Sequence, residues 1–142
     1  MLFSKRQRLI HRILIVEDEP LVAFDNEHLL REAGYTVVAT VDSFAEASAV
    51  IAQEALDLVL TDIGLAGDGD GIDVARVAGE RGIPVLFVTG GCAEEVKPLA
   101  VGCLAKPYTA KVLLDALVAI DDHRQGRPVR RVPPQLILHV AA

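Results

Sequence analysis

Asp57-Leu58-Val59-Leu60-Thr61-Asp62 is the stretch on which the reading of this chain turns. Three aliphatic residues and a threonine stand between two acids, and a glycine-rich run, Gly64 to Gly71, follows at once. A short apolar run that ends in an acid and then in turn signals predicts a buried strand that delivers Asp62 to a surface. Asp57 opens the same strand at the opposite rim, where a structural role is expected.

The flanking sequence repeats the pattern. Ile13-Leu14-Ile15-Val16 is a β-branched apolar run closed by Glu17-Asp18-Glu19. Pro20 suits the first turn of a helix, where its missing N–H costs nothing. That helix is expected to reach Ala33, with Val22, Leu29, Leu30 and Ala33 inward and Gly34 as its stop. Tyr35 to Val41 predicts a second strand, and Ser43 and Glu46 have the spacing of a capping box that starts a second helix. Ala47, Val50 and Ile51 would form its inner face. Beyond the central strand come a helix near Gly71–Arg81, a strand over Pro84–Thr89, and a segment from Gly91 to Leu99. Pro98 makes a regular helix there doubtful. A short strand over Val101–Ala105 and a helix over Thr109–Asp121 complete the pattern. Five strands alternating with five helical segments give an α/β (βα)5 fold. Strands apolar on both faces imply a doubly wound parallel sheet covered on both sides.

The 142 residues suit one domain with a full core, and 51% hydrophobic content excludes a disordered chain. Apolar runs such as Pro84-Val85-Leu86-Phe87-Val88 are too short to cross a membrane, and the start of the chain lacks the pattern of a signal peptide, so a cytoplasmic location is expected. Cys92 and Cys103 stand without CxxC or His-rich spacing and are expected to be free thiols rather than a disulfide or a zinc site. All twenty acids lie between residues 13 and 122 beside six basic residues, a net −14, whereas residues 1–12 and 123–142 carry four basic residues each. The chain thus divides into a basic extension (1–12), an acidic body (13–122) and a basic, proline-containing tail (123–142) with an apolar end, Leu136-Ile137-Leu138. Neither basic end interleaves aromatic residues or carries a recognition motif, which argues against nucleic acid as partner. The apolar end of the tail should dock on the domain itself or on a partner.

In an open parallel sheet, functional groups gather at the carboxyl ends of the strands. Glu17 and Asp18 end the first strand, Asp62 the third and Thr89 the fourth, and the fifth leads to Lys106. Clustered carboxylates repel and should recruit a cation, and hard oxygen ligands favour Mg²⁺. A carboxylate screened by metal is a nucleophile for a phosphoryl group, with lysine and hydroxyl groups to stabilise the transferring charge.

With these residues in place, the sequence resembles the receiver domains of two-component response regulators. The resemblance rests on Ile13-Leu14-Ile15-Val16-Glu17-Asp18-Glu19-Pro20, on Asp62 followed by Gly69-Asp70-Gly71, on Thr89-Gly90 and on Lys106-Pro107, and it covers residues 13–122. It implies the flavodoxin-like strand order 2-1-3-4-5, for which a receiver protein is a standard example. It also implies that Asp62 accepts phosphate from a histidine kinase or phosphotransfer protein. Asp18, Asp62 and the backbone carbonyl of Gly64 would hold Mg²⁺, with Glu17 bound directly or through water. Thr89 and Lys106 would contact the phosphoryl oxygens, and the Lys106–Pro107 bond would be cis.

The chain departs from the family pattern in three places. Cys103 stands where the aromatic switch residue is expected, three positions before the lysine, and is too small for the same coupling. The fourth helix is short, which alters the usual partner face of fourth helix, fifth strand and fifth helix. The Gly64–Gly71 loop lacks proline and has extra Asp68 and Asp70, which leaves it free to move. Tyr108 is expected to pack rather than switch. The twenty residues after the last helix leave no room for an output domain, so a stand-alone receiver is expected to signal by binding a downstream protein. A homodimer through the tail or the usual partner face is a further association. The rival readings are a receiver-like module that binds constitutively without phosphorylation, and a flavodoxin-like electron carrier. The second needs a hydroxyl- and glycine-rich loop where Glu17-Asp18-Glu19-Pro20 stands.

Overall fold

The alternation of strand side chains sorts the apolar residues into two cores. In the computed structural model, which describes residues 7–65 and 67–139, β1 (Arg12–Val16) sends Ile13 and Ile15 to one face and Leu14 and Val16 to the other. The first face packs against α1 (Pro20–Glu32) and α4 (Ala110–Arg124) through Leu30, Leu113, Leu117 and Ile120. The second packs against α2 (Phe44–Gln53) and α3 (Gly71–Glu80) through Ala47, Ile51, Val74 and Ala78. Helices on both faces explain why the central strand, β3 (Leu58–Asp62), is buried along its whole length.

With β2 (Thr36–Val41), β4 (Val85–Thr89) and β5 (Gly102–Ala105), the parallel strands run in the order β2-β1-β3-β4-β5. This is the expected doubly wound α/β sheet. A sixth strand, β6 (Leu136–Leu138), extends it, pairing antiparallel to β5 with Cys103 opposite Ile137. The apolar end of the tail therefore docks on the domain itself and covers the free edge of β5. Gly102 lets the two strands meet, because a Cβ there would stand 2.8 Å from the Ile137 carbonyl oxygen.

Several local expectations are refined. On α1 the buried residues are Ala23, Asn26 and Leu30, while Val22, Leu29 and Ala33 are half-buried, so the helix is rotated from its simplest apolar stripe. The fourth helical segment is a 3-10 helix, Glu94–Leu99, with Pro98 inside it. Asp70 is no surplus acid: its Oδ1 accepts hydrogen bonds from the N–H groups of Ile72 (2.9 Å) and Asp73 (3.1 Å), and Asp73 reciprocates to the Asp70 N–H at 3.0 Å. This capping box satisfies donors that the start of α3 would otherwise leave bare.

Cys92 and Cys103 are joined in a disulfide, with 6.3 Å between their Cα atoms, which corrects the expectation of free thiols. Eleven residues separate them in sequence, but adjacent parallel strands bring the exit of β4 back beside β5. Sequence spacing carries no trace of that approach.

Residues 7–12 of the basic starting segment fold back on the body. Arg8 lies 4.5 Å over the Tyr35 ring and donates to the Ala33 carbonyl, and Arg12 donates to the Ala55 carbonyl at 2.7 Å. Buried Asp121 accepts from the Leu9 and Ile10 N–H groups at 3.1 Å. Asp57 accepts from the His11 and Arg12 N–H groups at 2.9 Å, the structural role expected of it. Lys5 and Arg6 lie outside the described residues. No described helix is long and apolar enough to cross a membrane.

Candidate functional site

Parallel register sets the site. Val16 is level with Thr61 and Asp62 with Val88, so the first and third strands end together on one rim. The β4–β5 ladder continues one residue further through Lys106 N–H to the Thr89 carbonyl at 2.9 Å, which carries the lysine over the same rim. The Lys106–Pro107 bond is cis, as expected. On the far side, α3 begins against the end of β3. Gly71 donates to the Ile63 carbonyl at 2.7 Å, and a Cβ on Gly71 would stand 1.8 Å from the Asp62 carbonyl oxygen. Only glycine lets the helix start this close to Asp62.

Glu17, Asp18 and Asp62 each place a carboxylate oxygen within 4.8 Å of the others, with Glu17 and Asp62 buried and Asp18 exposed. Lys106 Nζ lies 2.8 Å from Asp62 Oδ1 and 4.0 Å from Glu17 Oε1. Three carboxylates thus face one ammonium. Burial, followed by its hydrogen bond to Asp62, pushes the Glu17 carboxyl up to about 7, against a bond from the Glu19 N–H that favours the anion. Burial pulls Lys106 down, but the Asp62 and Glu17 carboxylates outweigh it and hold the ammonium above the ordinary lysine value. With three carboxylates to one ammonium the group is short of positive charge, which favours the protonated form of Glu17. A hard divalent cation with oxygen ligands fits the same place, because it would neutralise Glu17 and Asp62 together.

Thr89 reaches the rim, but its hydroxyl is turned into its own loop, donating to the Gly91 carbonyl at 2.8 Å and accepting from the Gly91 N–H at 3.2 Å. Gly64 lies on the loop between β3 and α3, with open space where a Cβ would be. Tyr108 packs against the α1/α4 core and accepts a hydrogen bond from Asn26 Nδ2 at 2.9 Å. Asn26 escaped the sequence reading, although a polar residue one turn after Val22, on the inner face of α1, was the available signal.

An acidic, lysine-closed rim at the carboxyl ends of a 2-1-3-4-5 sheet is the arrangement of a receiver-type signalling domain, and comparison with known proteins agrees. The family model described as the response regulator receiver domain matches residues 13–118. The chain is 31% identical over 112 residues to the transcriptional regulatory protein PdtaR of Mycobacterium tuberculosis, an alignment covering 75% of this chain and 54% of that one. It is 35% identical over 79 residues to the phyllosphere-induced regulator PhyR of Methylorubrum extorquens, covering 54% and 30%. A response regulator receiver protein from Sinorhizobium medicae superposes with a TM-score of 0.70 at 33% identity, over 81% of this chain and 97% of that one. A CheY-like receiver domain from Methanospirillum hungatei gives 0.72 at 27% identity, over 82% and 98%. The chain belongs to the response regulator receiver family and so to two-component signal transduction. It spans about half the length, or less, of these curated relatives.

Proposed function

We propose that the chain is a phosphorylation-controlled receiver in which Asp62 accepts a phosphoryl group from a histidine kinase or phosphotransfer protein. The observation that carries this reading is the 2.8 Å contact between Lys106 and an Asp62 that shares its buried rim with Glu17 and Asp18. An Asp62 carboxylate oxygen attacks phosphorus in line. The new O–P bond forms as the donor's bond to phosphorus breaks, and the bonding electrons leave with the donor. Lys106 turns from Asp62 Oδ1 to a phosphoryl oxygen, and Thr89 gives up Gly91 to do the same. Asp18, Asp62 and the Gly64 carbonyl would hold Mg²⁺, with Glu17 bound directly or through water. When bound, the ion supplies positive charge against the phosphoryl oxygens. Output is by contact with a downstream protein, because phosphate adds only about 1.5–2 negative charges to an already acidic body.

Incubation with acetyl phosphate and Mg²⁺, followed by intact mass, tests this. A single phosphoryl adduct is expected, and Asp62→Ala should abolish it. Folded wild-type protein that binds Mg²⁺ and acquires no adduct would instead be a constitutive binding module. A specific observation favours that second reading: the Thr89 hydroxyl is engaged by Gly91, and Cys103 is tied to Cys92 where an aromatic switch is expected. Membership of the receiver family sets aside the electron-carrier reading.

A further inference from the structure

The register of β5 and β6 places a third donor beside the two cysteines. Cys103 is opposite Ile137, and side chains two apart on a strand share a face, so His139, two residues after Ile137, is on the Cys103 side of the sheet. Cys92 reaches the same place from the loop after β4. One ligand atom from each of Cys92, Cys103 and His139 lies within 4.8 Å of the other two.

The histidine is oriented as a ligand would be. Its ring Nδ1 is 3.0 Å from the Ala100 carbonyl oxygen. A carbonyl only accepts, so Nδ1 carries a proton, and in the neutral ring Nε2 presents a bare lone pair. Nε2 is buried and has no hydrogen-bond partner. A ring N–H anchored on a backbone carbonyl is also how metal-binding histidines are held. The backbone is fixed too, because the His139 N–H donates to the Val101 carbonyl at 2.8 Å. A disulfide offers this nitrogen no proton and leaves it unsatisfied.

We propose that, with its two sulfurs reduced, the chain binds a Zn²⁺ ion through Cys92 Sγ, Cys103 Sγ and His139 Nε2, a site separate from the carboxylate rim. Opening the disulfide takes two electrons from the reductant and two protons, giving two thiols. A thiol reductant supplies both and becomes a disulfide, whereas a phosphine supplies the electrons and becomes its oxide, with water giving the protons and the oxygen. Zn²⁺ then replaces the two thiol protons, which pass to solvent, while neutral His139 contributes its lone pair without losing a proton. Two thiolates and an imidazole suit a tetrahedral d¹⁰ ion, with solvent in the fourth position. Cys92 and His139 are only half-buried, so the ion can reach the site. Disulfide and metal are mutually exclusive states of the same sulfurs.

The test uses the full chain, reduced with a phosphine, freed of reductant without air and kept in Mg²⁺ to occupy the carboxylate rim. Co²⁺ serves as the spectroscopic stand-in for Zn²⁺. A single equivalent should bring up the thiolate-to-metal band and the visible absorption of a tetrahedral site, and Zn²⁺ should displace it. The oxidised protein, Cys92→Ser and Cys103→Ser should lack the band. Loss of an outer partner of a metal ligand already weakens binding roughly tenfold or more, so His139→Ala should weaken Co²⁺ binding by at least that factor. Should a cysteine variant fail to fold, alkylation of the reduced wild-type protein decides, since Zn²⁺ should shield both thiols. Equal alkylation rates with and without Zn²⁺, or equal Co²⁺ affinity with and without His139, would overturn the site and leave a thiol pair that only forms a disulfide.

Discussion

Two glycine-to-alanine changes in the same helix should act in opposite directions. A Cβ on Gly71 would lie 1.8 Å from the Asp62 carbonyl oxygen and 2.7 Å from both the Asp62 carbonyl carbon and the Ile63 Cα, all of them backbone atoms. Ordinary contact requires the start of α3 and the end of β3 to part by about 1.5 Å. Overpacking of this kind costs about 1–3 kcal/mol, and rigid backbone on both sides puts Gly71→Ala near the top of that range. At Gly79 no atom lies within 4 Å of the added carbon, so Ala there gains up to about 1 kcal/mol from helix propensity. Urea unfolding followed by circular dichroism should therefore separate the two variants by about 4 kcal/mol. A second readout is phosphorylation by acetyl phosphate. Displacing the Asp62 backbone by about 1 Å should slow the reaction by about a hundredfold, whereas Gly79→Ala should leave it unchanged. If Gly71→Ala matches wild type within about 0.5 kcal/mol and at equal rate, the close approach of α3 does not set the site.

Three further outcomes follow from single contacts. Asp121→Ala strands the buried Ile10 N–H and its neighbour at Leu9, and should cost about 2–3 kcal/mol in urea unfolding; a loss under about 1 kcal/mol would show that the amino-terminal segment is not anchored there. Leu136→Ala, at a 5% exposed position, should cost about 2–4 kcal/mol, and Ile137→Ala on the same strand, 50% exposed, less than about 1; equal costs would mean that β6 does not pack as described. For Glu17, folding raises an acid's value from 4.5 to about 7, so the folded state holds the extra proton and stability falls as pH rises through that window. The displacement corresponds to about 3 kcal/mol, so in chelator Glu17→Gln should be more stable than wild type above pH 7 and equal to it below 4.5, with no such crossover if Glu17 titrates normally.

The parts of this structure that could be read from sequence are those in which each residue carries its own signal. A strand buried on both faces must be apolar throughout, so Leu58–Leu60 announced it, and the acid at its end announced the rim. What escaped depends on pairs of residues distant in sequence. Three residues, Leu136–Leu138, have no period to read, and they form a strand only because β5 would otherwise present a bare edge. The meeting of Cys92, Cys103 and His139 follows from strand register. The Asp70 cap is the exception: Asp70 and Asp73 have capping-box spacing just before a helix expected near Gly71, so the signal was local. Glu17 read as a simple anion. Its burial against Asp62 raises its carboxyl above the ordinary range.

Cys103 connects the legible rim to the less legible edge of the sheet. Thr89 and Cys92 lie on one loop, and the Thr89 hydroxyl is held by Gly91 between them. On the proposed chemistry this hydroxyl leaves two ordinary hydrogen bonds, worth about 1 kcal/mol each, for one to a charged phosphoryl oxygen worth about 1.5–3. The exchange is close to balanced, so the freedom of the loop decides whether it occurs. A covalent tie from Cys92 to buried Cys103, on a β5 whose other edge is covered by β6, restrains that loop where a rotating aromatic side chain would have let it move. On the proposed chemistry, the state of the sulfurs then bears on how readily the Thr89 hydroxyl leaves Gly91 for a phosphoryl oxygen.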